Sequence, residues 1–265
     1  MDQTRPAAVA GSFYPSDARK LADTIDALLE AVEDPRPPDG VLAVVVPHAG
    51  YAYSAPVAAS AYARLTGLRE TIRRVAVLGP AHYVDLAGLA VPTVTWLDTP
   101  LGVVGVDTSA CRRLVEAGLA AFSDAAHVDE HSIEVQLPFL RRILGADASY
   151  VPVAVGSSEP DRVADALDLL SADLVVVSTD LSHYLDQASA QGRDRHTAEA
   201  VVARRVEAIG RYDACGRHAL RGLLRWATRH DHHIERIDLR TAADTVGGPH
   251  RVVGYGAFVV TSASA

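Results

Sequence analysis

The sequence predicts a three-layer α/β/α fold around a mostly parallel or mixed central sheet, and three observations carry that expectation. First, Val41–Val46, Arg74–Leu78 and Asp173–Val177 are apolar at almost every position instead of at alternate ones. Such runs suit strands covered on both faces, as in a parallel sheet packed between helix layers. Second, stretches of helical period separate these runs, the alternation that builds α/β architectures. Third, each run leads to a histidine: Pro47-His48-Ala49-Gly50, Gly79-Pro80-Ala81-His82 and Ser178-Thr179-Asp180-Leu181-Ser182-His183. Open α/β sheets gather ligands outside the carboxyl ends of their strands, so the repetition points three imidazoles at one crevice.

Taken in order, Ser16 opens a helix that sets Leu21, Ile25, Leu28, Leu29 and Val32 on one face. The Pro- and Asp-rich piece Asp34–Gly40 closes it as a surface loop before the first long strand. A second helix is expected from Ala55 to Leu65, and a short strand near Gly88–Val91 after the run ending at Leu78. Asp107–Leu119 and Glu130–Leu144 read as amphipathic helices, Tyr150–Val155 as a strand, and Pro160–Leu170 as a helix. Helices over Ala188–Ile209 and His218–Arg229 follow. The alternating Val252, Val253, Tyr255, Ala257 and Val259, set among glycines, predict a last strand at a sheet edge, in antiparallel orientation. No linker divides the chain, so one domain over 1–265 is expected, a size that buries a large core.

Composition excludes several function classes. A formal charge of −8 argues against a nucleic-acid footprint, which needs a concentrated basic surface. All but Lys20 of the 25 basic residues are arginine, a compositional bias given no functional weight. No apolar run has the length of a membrane span. The start, Met1-Asp2-Gln3-Thr4-Arg5-Pro6, lacks the layout of an export signal, so a cytoplasmic protein is expected. In that compartment Cys111 and Cys215 are expected as free thiols or as a metal-bound thiolate.

Several residues carry candidate chemistry. His48 and His82 each follow a proline that fixes the chain leaving a strand, an arrangement suited to a shared metal or acid–base site. Asp180 and His183, three apart, share a face if the segment forms a helical turn, and a carboxylate beside an imidazole orients it for proton transfer. Cys215 precedes a helix and neighbours Arg217 and His218, surroundings that favour the thiolate. Cys111, in an apolar helical stretch, is expected to pack as a small hydrophobe. His131 and Glu134 share a helical face and are expected to support metal ligands from behind. The His230-Asp231-His232-His233 cluster is expected as a solvated loop.

Together these motifs resemble the Memo family, the B component of the AmmeMemoRadiSam group. The carriers are Arg5–Pro15, Pro47-His48-Ala49-Gly50-Tyr51, Gly79–His82, Glu130–Glu134 with Leu137-Pro138, Ser178–His183, Cys215–His218 and the terminal Gly254-Tyr255-Gly256-Ala257. The resemblance implies a fold similar to class III (LigB-type) extradiol dioxygenases, which cleave catechol rings with non-haem iron(II) held by two histidines and a glutamate. In Memo relatives a cysteine takes the glutamate's place, and the matching positions here are His48, His82 and Cys215. Asp180 and His183 match the polar pair beside that centre. Two imidazoles and a thiolate form a softer set that suits copper as well as iron(II). The resemblance thus implies a metal-dependent oxidoreductase in which His183 moves protons and Asp180 orients it. The alternative is a non-catalytic ligand- or protein-binding module, or a metal carrier, that keeps the pocket. It also implies a small-molecule substrate, and radical-SAM and AMMECR-type proteins as partners.

Overall fold

The computed structural model describes residues 3–263 of the chain. Its strands are β1 (Thr4–Arg5), β2 (Val41–Val46), β3 (Arg74–Pro80), β4 (Leu89–Val91), β5 (Trp96–Leu97), β6 (Val104–Val106), β7 (Ala120–Phe122), β8 (Ser149–Val155), β9 (Leu174–Ser178), β10 (His183–Leu185), β11 (His233–Thr241) and β12 (Val252–Thr261). Its helices are α1 (Ala18–Glu30), α2 (Tyr51–Tyr62), α3 (Thr108–Glu116), α4 (His131–Glu134), α5 (Leu137–Leu144), α6 (Pro160–Leu170), α7 (Gln187–Val202) and α8 (Arg217–Arg229). The strands join one mixed sheet ordered β1-β5-β6-β8-β3-β9-β2-β12-β10, with β4 and β7 attached beside β8 and β11 beside β12. From β6 to β2 the neighbours are parallel, and β12 runs antiparallel to β2, β10 and β11.

The continuous apolar runs are explained by their two faces. Val44, Val46, Val75, Val77 and Val176 point to one layer, where Leu21 and Ile25 of α1, Tyr62 of α2 and Phe139 of α5 cover them. Ala43, Val45, Ala76, Leu78, Val175 and Val177 point to the other, under Leu114 of α3, Val163 of α6, Val201 of α7 and Leu223 of α8. A side chain alternates faces at every residue, so a strand buried on both sides has no polar position to spare. The three-layer α/β/α expectation is therefore met.

Four elements differ from the sequence reading. The last strand is not an edge: β12 pairs β2 on one side and β11 on the other. β11 went unseen because its inward pattern is masked by charge; the loop expected at the His230–His233 cluster is present as the turn from α8, with His233 already the first residue of β11. The expected single helix over 130–144 breaks into α4 and α5, with Pro138 starting the second. The expected helix to Ile209 stops at Val202, ahead of Arg204 with φ 55°.

Candidate metal centre

Strands β2, β9 and β3 lie side by side, so their carboxyl ends deliver His48, Asp180 and His82 to one place. The His48 and His82 rings meet edge to face at 5.3 Å between centroids. Cys215 arrives from the other helix layer, just before α8. Its N–H donates to the Asp180 carbonyl (3.1 Å), and the Gly216 N–H donates to Thr179 Oγ1 (2.8 Å). A Cβ at Gly216 would sit 2.8 Å from Thr179 Cβ, so only glycine lets α8 approach this closely. One ligand atom from each of His48, His82 and Cys215 lies within 4.8 Å of the others, and Cys215 Sγ is 3.3 Å from His48 Nε2. An ion bonded to nitrogen at about 2.0 Å and sulfur at about 2.3 Å in tetrahedral geometry sets those two atoms about 3.5 Å apart. The residues present therefore fit a metal.

The proton on His48 is assigned by its neighbours. The Gln136 amide faces the Pro47 carbonyl with its nitrogen, since a carbonyl only accepts, and that nitrogen also donates to Ser178 Oγ (2.8 Å). The single Ser178 hydroxyl hydrogen goes to the Ser132 carbonyl (2.6 Å). Ser178 Oγ must then accept from His48 Nδ1 at 2.9 Å, which makes Nδ1 the protonated nitrogen. Nε2 is left with its lone pair, facing Cys215. Burial, with the nearby His82 and His131, holds the His48 imidazolium form well below the ordinary range, so the ring stays neutral.

His82 is prepared the same way by a different partner. Its Nδ1 lies 2.9 Å from Glu130 Oε1, and its backbone N–H donates to Glu130 Oε2 (2.5 Å). A carboxylate on one imidazole nitrogen fixes the ring and frees the other nitrogen to bind a metal. Burial pushes the Glu130 carboxyl up, but the His82 ring and the His82 and Ser132 N–H groups outweigh it and hold it at about 2. His131 stacks on His82 at 4.7 Å, nearly parallel (16°). A Cβ on Gly79 would collide with Ser132 Oγ, so that glycine lets α4 press onto the end of β3.

The remaining residues depart from expectation. Asp180 does not orient His183: its carboxylate accepts the His48 backbone N–H (2.8 Å), because 179–182 lies between β9 and β10 and forms no helical turn. Burial pushes the Asp180 carboxyl above its ordinary range. His183 instead opens β10, opposite Val253, and its Nδ1 donates to the Leu181 carbonyl (2.9 Å). Cys215 is not a preformed thiolate. Burial, together with Asp180, pushes its thiol up to about 12, against the pull of the Thr179 hydroxyl and nearby N–H groups. Glu134 does not back a metal ligand either. It accepts from Arg5 Nη1 (2.6 Å), the Tyr14 hydroxyl (2.6 Å) and the Ala8 and Val9 N–H groups, pinning the N-terminal segment. Cys111 is buried in α3 as expected, its thiol raised to about 12 by burial. His82, His183 and Cys215 open onto a cleft of about 540 Å³.

A family model for Memo-like proteins matches residues 5–259. The chain belongs to the Memo family. Relatives described as MEMO1 family proteins include one from Methanopyrus kandleri, 35% identical over 283 residues (96% of this chain, 98% of the relative). Others come from Methanococcoides burtonii, 33% identical over 271 residues (97% and 99%), and Thermotoga petrophila, 33% over 278 (95% and 97%). In this Memo chain, Glu130, Ser178 and Gln136 are the supporting residues that sequence reasoning did not single out. Ser178 carried a signal: it is the polar residue closing a run of four aliphatic ones in β9.

Proposed function

We propose that this Memo protein holds one transition-metal ion through His48 Nε2, His82 Nε2 and Cys215 Sγ, and acts as an oxidoreductase of extradiol-dioxygenase descent. The observation that supports it is the matched preparation of the two imidazoles. Each has Nδ1 engaged by a fixed partner, Ser178 or Glu130, which leaves Nε2 free, and each brings a ring nitrogen within 4.8 Å of the same sulfur. A core histidine needing only a hydrogen bond has no use for this arrangement twice over.

Bound iron(II) or copper supplies Lewis acidity and one-electron chemistry at the cleft floor. The chain's own residues do the rest. Without metal, the Cys215 S–H donates to His48 Nε2, and that proton leaves when the thiolate is needed as a ligand. His183 keeps Nδ1–H on the Leu181 carbonyl, so its Nε2 takes or returns a substrate proton in the cleft. Asp180 fixes the His48 backbone and the loop beneath Cys215.

Metal analysis and titration of variants, with oxygen uptake on catechols, test this reading. His48→Ala, His82→Ala and Cys215→Ser are expected to lose the metal. His183→Ala is expected to keep it and lose turnover by roughly 10²–10⁴-fold. Loss of metal in His183→Ala would make that residue a ligand. Tight metal binding with no oxygen uptake in the unaltered protein would favour a metal carrier.

A further inference from the structure

We infer that the cleft beside the metal centre takes a small planar organic carboxylate, held by Arg211 and Arg193 with its flat body against Tyr184 and Tyr212. The inference rests on the proposed function in treating this cleft as the reaction space. Its volume, about 540 Å³, lies within the range of small-molecule sites.

Charge selects the substrate class. The chain carries 33 acidic residues against 25 basic, yet not one carboxylate lines this cleft, and two arginines do. Several arginines outside the cleft are consumed: Arg74, Arg142, Arg204 and Arg229 each reach a carboxylate oxygen within 2.8 Å. Among the described residues no carboxylate pairs with Arg211, which rests over the ring of its neighbour Tyr212, 5.6 Å from the centroid. Arg193 comes no nearer than 3.9 Å to Asp213, while its Nη1 lies 3.5 Å from the Tyr212 carbonyl, which puts both guanidinium groups at the same wall. Guanidinium groups in a concave site whose lining has no carboxylate, with Asp213 only a long 3.9 Å contact to Arg193, are suited to a carboxylate supplied by the ligand.

Shape selects the body. Tyr184 and Tyr212 line the same cleft and are 65% and 69% exposed. Tyr184 sits at φ 60°, a conformation that side chains rarely adopt, and Arg251 packs over its ring at 5.1 Å. A bulky residue kept in that region at the rim of a cleft marks a position shaped for contact. Two tyrosines offer flat apolar faces at small entropic cost.

Benzoate and its neutral isostere benzamide are the probes, titrated into the full chain and followed by ligand-observed NMR, with and without metal. Benzoate is expected to bind at least roughly tenfold more tightly than benzamide, as a charge-assisted pair requires. Arg193→Gln combined with Arg211→Gln is expected to erase that preference and leave benzamide binding unchanged. Both arginines are exposed, and circular dichroism checks that the variants fold. Equal affinity for the two probes, absence of benzoate binding across the millimolar range, or a preference that survives the double substitution overturns the inference. Cys215→Ser separates it from the metal reading, since benzoate preference should persist there while metal is lost. Benzoate binding in a protein that never takes metal would sink the metal reading alone.

Discussion

Glu130 and Glu134 stand at the two ends of α4, both buried, and they serve opposite parts of the molecule. Glu130 turns its carboxylate toward His82 of the candidate metal centre, receiving the ring and backbone of His82 and the Ser132 N–H. Glu134 faces away, closing a node of Arg5, Ala8, Val9 and Tyr14. The first carboxylate prepares a ligand and the second fastens a chain end. Two buried acids in one short motif therefore predict different failures when removed. Confusing them misassigns function to a structural residue.

The largest expected effect lies on the Glu134 side. Its side chain is fully buried, and Arg5 is nearly so. Glu134→Ala takes the counter-charge from the buried Arg5 guanidinium, which keeps only carbonyl acceptors, and leaves the Tyr14 phenol and two N–H groups without their acceptor. Removing one partner of a buried pair costs about 3–5 kcal/mol, and thermal or denaturant unfolding should show a loss of that size. Metal stoichiometry, measured on whatever fraction folds, should be unchanged. A loss of metal as complete as in His48→Ala would abolish the distinction between the two glutamates.

Glu130 should instead show itself through pH and metal. Its carboxyl is depressed from about 4.5 to about 2 in the folded protein. A depressed acid contributes stability that is present above the unfolded value and is lost as pH falls from there through the folded one. That window runs from near pH 4.5 down to near pH 2, and the contribution is about 3 kcal/mol. Denaturant titrations of metal-free protein should show this acid limb in the unaltered chain and a flatter one in Glu130→Gln. The same substitution should weaken metal binding by about 10–100-fold, the usual effect of losing a carboxylate behind a ligating histidine. Unchanged metal affinity would mean that His82 needs no such support.

How much of this was legible depends on what kind of signal a residue leaves. The strands with histidines at their ends were readable because burial on both faces forces continuous apolar runs, as in Val41–Val46 and Leu174–Val177. β11 was not, because Glu235, Arg236, Asp238 and Arg240 in its nine residues disrupt any apolar pattern on a strand with one partner. The convergence of His48, His82 and Cys215 was reachable by resemblance, whereas the direction of each supporting carboxylate was not. Spacing put His131 and Glu134 on one helical face, but α4 is a single turn, and its neighbours decide which acid meets which histidine. The thiol was misread for a related reason. Proximity to Arg217 and His218 in sequence suggested a thiolate, while burial and Asp180 in space dominate.

The smallest expected effect, read one pH unit at a time, tests that correction and belongs to the cleft alone. A Cys215 thiol raised to about 12 is protonated throughout the neutral range, so taking up a metal must release its proton. Apparent metal affinity should then rise with pH, by up to about tenfold per pH unit, or about 1.4 kcal/mol, while no other ligand titrates. His48 adds little to that slope, because burial already keeps it neutral. Competition titrations with a chelator at several pH values between 6 and 9, corrected for the chelator's own protonation, measure the slope, and calorimetry in buffers of different ionisation enthalpy counts the proton directly. A preformed thiolate predicts a flat profile and no proton from sulfur. The Glu134 node should leave the slope untouched, so a conservative variant there, Tyr14→Phe, serves as control: it removes one donor to Glu134 and nothing from the cleft. A slope that changes in Tyr14→Phe would show the Glu134 end of α4 to be coupled to the cleft.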